Sequence, residues 1–398
     1  MIDKSTLALF GNRPHFEKPV ACHALFWPSQ DEYRAMFRDI FERQYYTNHG
    51  PLAQALEQAL AERLQVRHAI CVTNEFIGLA MLAQALDLAG PVLVPAHASI
   101  KTVQSLDWAQ VQPVFCDVNP ETGMLDARHA APWLEKHAIG AILGVNAWGG
   151  ACDLPGLTQL ARSADIPFYL DSSQGFGSLV DGTPLGGFGH AEVLSFHADH
   201  ILNAGEGGVI CTQDDALAAR IRNIRSNYGM GPSVPVKKTG NGRLSEAQAA
   251  LALYGLKRIP EYLGHHRRIR AFYAAGLRGI PGISLFQAPG VSLSNDQNLI
   301  VQVSAHLLGL SRDELCRFLR TENIMAETGY FQPPGLTPCS LYAESIEDHP
   351  HADHFGQTVL ELPMHHSLDE AAIAFITGAI EWAHRHAGEI RERLRSSP

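Results

Sequence analysis

Two histidines and an aspartate stand within four residues of one another in Ser195-Phe196-His197-Ala198-Asp199-His200. An imidazole accepts or donates a proton near neutral pH, and a nearby carboxylate shifts that balance. The stretch continues through Ile201-Leu202-Asn203-Ala204-Gly205-Glu206-Gly207-Gly208. It lies between two apolar runs, residues 191–194 and 209–211, so a polar turn joins two buried strands. A second polar cluster, Asp171-Ser172-Ser173-Gln174, closes the apolar run at residues 167–170. A carboxylate at the end of such a strand either caps its own turn or faces a ligand.

The elements that must hold these groups read as a repeated strand–turn–helix pattern. Helical spacing is expected at residues 30–44 and 52–64, broken by the turn Tyr45-Tyr46-Thr47-Asn48-His49-Gly50-Pro51. Strands are expected at 68–72, 91–94, 114–118, 140–145 and 167–170. Helices are expected between them, at 76–88, 97–109, near 133–137 and at 157–164. Such alternation predicts a mostly parallel sheet covered by helices, with ligands at the carboxyl ends of its strands. A helix at 213–225 and a loop follow, and then a long helix from 247 to 277. Beyond it the pattern changes: residues 279–294 are rich in turns, 298–303 form a strand, and 311–322 and 369–385 are helical. Residues 330–342 read as irregular. The expected architecture is α/β, with a large domain over residues 1–250 and a smaller C-terminal α+β domain over 251–398.

The 398 residues are 46% apolar and 18% charged, an ordinary balance for a folded chain. The net charge of -10 argues against a nucleic-acid or anionic-membrane surface. No apolar run is long enough to span a bilayer, and the first residues lack a secretory pattern. Seven scattered cysteines without a CxxC pair fit reduced thiols in the cytoplasm, and no metal site is expected from spacing. His349, His351, His354, His365 and His366 lack a ligand frame and read as solvated or core histidines.

The motifs, taken together and in order from Gly50-Pro51 to Leu362-Pro363-Met364, resemble the DegT/DnrJ/EryC1/StrS family of pyridoxal phosphate (PLP) enzymes. Members mostly aminate nucleotide-linked keto sugars, and their cofactor segment reads S-F-H-x-x-K and then E-G-G. The resemblance implies fold type I of the PLP enzymes. It implies that Asp171 meets the cofactor's pyridine nitrogen, Gln174 its phenolic oxygen, and Ser195 and Asn74 its phosphate. It also implies that Asn241, in Gly240-Asn241-Gly242-Arg243-Leu244-Ser245-Glu246, reaches the phosphate of a second subunit, which makes the active unit a homodimer. Asn48, His49, Trp148, Tyr330 and Phe331 fall in loops that border the substrate in relatives. For Asn48 and His49 a turn joining two helices is the favoured role, and for Trp148, Tyr330 and Phe331 core or rim packing is an equal explanation.

His200 stands where the family has its lysine. Imidazole cannot replace the amine that holds the cofactor covalently, but it can still move a proton. One branch of the family, the PLP-dependent sugar 3-dehydratases, makes this replacement. The resemblance therefore implies a lyase or dehydratase acting on a keto sugar or related small ketone. In that reading His200 is the acid/base, and PLP or pyridoxamine phosphate (PMP) is held non-covalently. Three departures stand beside it. Ile201 follows His200 where that branch has a second histidine. Asn74-Glu75-Phe76 replaces a Ser-Gly-Thr phosphate turn. Ser99 occupies the position of an aromatic residue that stacks on the cofactor. Two alternatives follow: a paralogue that binds a different ligand in the same cleft without PLP, or a conventional sugar aminotransferase with a replaced lysine. Lys101 is the other lysine near the expected site loops, and an exposed helix position accounts for it.

Overall fold

The computed structural model describes residues 2–46, 49–329, 338–342 and 348–396. A seven-stranded sheet forms the centre of the larger part. Its strands are β1 (His68–Val72), β2 (Val92–Pro95), β3 (Pro113–Cys116), β4 (Ala141–Val145) and β5 (Phe168–Asp171). After a two-residue ribbon, β6 (Leu179–Val180) with β7 (Thr183–Pro184), the sheet is completed by β8 (Glu192–Ser195) and β9 (Gly208–Thr212). The order is β1-β9-β8-β5-β4-β2-β3. Pairing is parallel from β3 through β2, β4 and β5 to β8, and antiparallel across β8–β9 and β9–β1. The sheet is thus mostly parallel, as the alternation predicts. Its strands β2, β4, β5, β8 and β9 are buried throughout, which explains why they read as continuous apolar runs.

Helices cover both faces: α1 (Gln30–Arg43), α2 (Pro51–Leu64), α3 (Glu75–Ala85), α4 (Ile100–Trp108), α5 (Ala127–Lys136), α6 (Leu154–Ser163) and α7 (Asp215–Ser226). Their starts are written in the sequence. Ser29 and Glu32 form a capping box on α1, and Asn74, Asp126 and Asp153 cap α3, α5 and α6 with their side chains. Helix α4 starts three residues later than the periodicity predicts. Ser99 caps it by accepting from the Lys101 N–H, and the preceding His97 is buried with its ring on the Gly123 carbonyl.

Helix α2 has Gly50 at its cap, a residue with no side chain to offer the first amides. The buried carboxylate of Glu246 supplies the acceptors instead, taking the Leu52 and Ala53 N–H groups at 2.9 Å each. Glu246 opens α8 (Glu246–Gly276), a helix of 31 residues behind a Ser245–Gln248 capping box. One residue therefore joins the starts of two helices that are far apart in sequence.

A second sheet, β10 (Ile283–Leu285), β11 (Leu299–Val303) and β12 (Val359–Leu362), is antiparallel throughout. Strand β10 lies inside the stretch read only as turns. Its core includes Val301, Leu360, Phe318 and Ile376, together with Leu7 and Leu9 from the start of the chain. The first two dozen residues therefore pack with the C-terminal part, and not with the large α/β layer to which the sequence reading assigned them. The Val20–Ile324 bridge and the Glu322 carboxylate, which accepts from the Ala8 and His15 amides, fix that attachment. Among the described residues, no helix is long and apolar enough to cross a membrane.

Candidate functional site

The carboxyl ends of β4 and β5 open into a cavity of about 190 Å³. Asp171, the last residue of β5, is buried there. One of its oxygens accepts from Thr102 Oγ1 at 2.5 Å, and the other from the Ser173 N–H at 3.1 Å and from Ser173 Oγ. Burial raises its pKa above the usual carboxylate range against these hydrogen bonds, and the Glu75 charge adds to the rise. Gln174 lines the same cavity and is braced from outside it: its Oε1 accepts the Trp148 N–H at 2.8 Å.

His200 lines the cavity from the turn between β8 and β9. Its Nδ1 stands 3.0 Å from Gln297 Nε2. The other end of that amide, Oε1, accepts the Ile201 N–H at 3.0 Å, which orients the amide so that its NH2 group faces His200. Nδ1 is therefore the acceptor, and the ring's proton sits on Nε2. Burial of the ring pushes its pKa down to about 3 against the pull of Asp199, so the imidazole is neutral. Asp199 itself is held at 3.0 Å from His197 Nδ1.

The phosphate end differs from the sequence expectation. Asn74 spends its side chain on the cap of α3, accepting from the Ile77 N–H at 2.9 Å. Glu75, the first residue of α3, is buried and lines the cavity. Ser195 Oγ donates to Glu75 Oε2 at 3.0 Å, and Lys101 Nζ lies 3.8 Å from Glu75 Oε1. Of the groups expected to take a phosphate, Ser195 thus holds a carboxylate of the chain itself. Ser99 lines the cavity without offering a ring, and Phe76 turns away to meet Trp108 edge-on at 5.5 Å. No aromatic replacement for the stacking face comes from either residue.

Of the remaining expected site residues that are described, His49, Trp148 and Asn241 do not line this cavity. His49 packs against the buried Arg225–Glu57 pair, 3.4 Å from Arg225 Nη2 and 3.6 Å from Glu57 Oε1, so it braces α2 and α7 instead of facing the cleft. Trp148 is buried against Phe286 and His97, in the core beneath the small sheet. Asn241 is exposed and outside the cavity of its own chain. Asn48, Tyr330 and Phe331 lie outside the described residues. Sequence reasoning missed Thr102 and Gln297. Thr102 lies close to a recognised motif and was open to inspection, whereas nothing in the sequence ties Gln297 to His200, 97 residues away.

The large sheet, with an acid at the end of β5 and a polar turn between β8 and β9, is the fold of PLP-dependent aminotransferases. A solved structure described as DesI in the presence of its TDP-sugar product superposes with a TM-score of 0.91 at 31% identity, covering 99% of this chain and 100% of that one. The chain belongs to the DegT/DnrJ/EryC1/StrS aminotransferase family, whose model matches residues 29–381. It is 28% identical over 365 residues to the dTDP-4-amino-4,6-dideoxy-D-glucose transaminase of Shigella dysenteriae, spanning 92% of this chain and 99% of the relative. It is also 28% identical over 341 residues to the GDP-perosamine synthase of Caulobacter vibrioides, spanning 83% of this chain and 90% of that protein.

The family uses PLP, and the residues present fit only half of it. Asp171 and Gln174 line the cavity with a carboxylate and an amide of the kind that a pyridine nitrogen and a phenolic oxygen would need. The phosphate half does not fit: Glu75 already takes the Ser195 hydroxyl and sits beside Lys101, and a second anion there would face it across a few ångströms.

Proposed function

We propose that the cleft over Asp171 binds a nucleotide-linked sugar and does not transaminate it. The observation that carries this reading is the neutral imidazole of His200 at the lysine position, its Nδ1 engaged by Gln297. No amine stands there to hold or release a carbonyl group. The lysine that lines the cavity, Lys101, sits beside Glu75's carboxylate and is largely exposed. The named relatives, a dTDP-amino-sugar transaminase and a GDP-perosamine synthase, support the sugar class. Ser99, Thr102, Ser173 and Gln174 give the cavity hydroxyl and amide partners suited to a sugar's own hydroxyls. In this reading Asp171 accepts from the ligand, and His200 donates through Nε2–H to a carbonyl or hydroxyl oxygen. The active unit is a homodimer in which the exposed Asn241 of one chain closes the cleft of the other. Seven free cysteines, six of them buried, support a reducing compartment such as the cytoplasm.

A second reading, elimination of water from the sugar with His200 as the proton acceptor, is favoured by the retention of Asp171, Gln174 and Ser195. It requires the Gln297–His200 hydrogen bond to break first. One experiment separates the two. The protein is mixed with dTDP-4-amino-4,6-dideoxy-D-glucose and, separately, with the corresponding 4-keto sugar in the presence of PMP and glutamate. Binding is followed by calorimetry and conversion by chromatography. Saturable binding of either sugar without conversion supports the proposal. An aminated product overturns it, a dehydrated product transfers support to the second reading, and absence of binding removes both.

A further inference from the structure

We infer that Glu75 is a built-in occupant of the anion seat at the start of α3, so that this cleft selects ligands whose inner end is neutral or cationic and rejects those that would place a phosphate in that seat. The inference deepens the reading above by defining the inner end of the same cleft.

The seat has what an anion needs. It lies at the first turn of an 11-residue helix, whose amide dipoles favour negative charge. It has a buried hydroxyl, Ser195 Oγ, donating at 3.0 Å, and an ammonium, Lys101 Nζ, at 3.8 Å. Backbone closes the seat from the strand side. A Cβ built on Gly208 would come within 3.1 Å of both the Asn74 carbonyl carbon and the Glu75 nitrogen, so β9 presses directly on the helix start. The anion that satisfies this arrangement is covalently part of α3.

Charge around the rest of the cavity points the same way. Asp171 and Asp199 also line it, and His200 contributes a neutral ring. The lining lysine is already beside Glu75. A phosphate dianion in the seat would meet the Glu75 carboxylate with no unshared cation beside it, since Lys101 is already there and His197, which also lines the cavity, is paired with Asp199. An amine or hydroxyl would instead find acceptors at Glu75 and Asp171.

The test compares PMP with pyridoxamine, two vitamers that differ only in the phosphate and carry no aldehyde to react with surface lysines. Dissociation constants are measured by calorimetry on the full chain and on Glu75→Gln and Glu75→Gly, with circular dichroism confirming the fold of each. Gln keeps the size and the acceptor for Ser195 while removing the charge, and Gly empties the seat. The expected result is that the unaltered chain binds pyridoxamine at least as well as PMP. In at least one of the two variants PMP then gains about tenfold or more relative to pyridoxamine, the change a modest screened repulsion produces. The inference is overturned if the unaltered chain prefers PMP by tenfold, or if neither folded variant gains PMP binding. Because the probes are vitamers and not sugars, this outcome is independent of whether the nucleotide-sugar reading survives.

Discussion

At the scale of single residues, the chemistry of the cleft turns on which nitrogen of His200 carries a proton. A replaced lysine is an expectation of the sequence, where His200 interrupts a motif whose flanks, Ser195-Phe196-His197 and Glu206-Gly207-Gly208, match the family pattern. That motif does not fix whether the ring is a general base, since the group that sets the tautomer, Gln297, comes from the segment entering β11. Glu75 was legible as a misfit, but its partners were not: Ser195 lies 120 residues away and is reached only when β8 and α3 pack together. We expect nitrogen-15 chemical shifts of the imidazole to show the neutral, Nε2-protonated form from about pH 5 to about pH 8, consistent with a pKa near 3. Gln297→Ala removes the donor to Nδ1, so the same spectrum should then show a mixture of tautomers. A ring that titrates near its usual value in the unaltered chain would contradict the geometry.

At the scale of elements, the strands of the large sheet were read well, because burial on both faces leaves marks in local sequence. Contacts between distant elements left none. His23, in the extended segment before α1, meets Glu361 of β12 at 3.1 Å. Burial would push the imidazole's pKa down, but the Glu361 carboxylate outweighs it and holds the value up at about 8. A histidine raised in the fold favours the folded state fully below its unfolded pKa of about 6.5, and that contribution is lost as the pH rises through 8. The shift corresponds to about 2 kcal/mol. Urea unfolding should therefore show His23→Gln less stable than the unaltered chain by about that amount near pH 6. The gap should narrow toward zero above about pH 9, and a gap that stays constant would remove the ion pair from the account.

At the scale of the whole molecule, the two-part organisation was visible in the change of pattern after the long helix, but a cut at one point in the sequence misplaces the start of the chain. Leu7 is fully buried among residues of the C-terminal core, and Phe10 meets Trp382 edge-on at 5.8 Å. Hydrophobic periodicity cannot announce a partner more than 300 residues away. Leu7→Ala should cost about 2–5 kcal/mol, the range for emptying a buried leucine site, measured by urea unfolding of the full chain. A loss below about 1 kcal/mol would mean that the segment is only loosely laid on. The carboxylate at the head of α3 has a consequence for the protein's life in a cell. Relatives that depend on a diffusible vitamin gain stability only when the vitamin is supplied. This chain carries the anion for that seat within its own polypeptide, so the phosphate of PMP should add nothing to the melting temperature beyond what pyridoxamine gives.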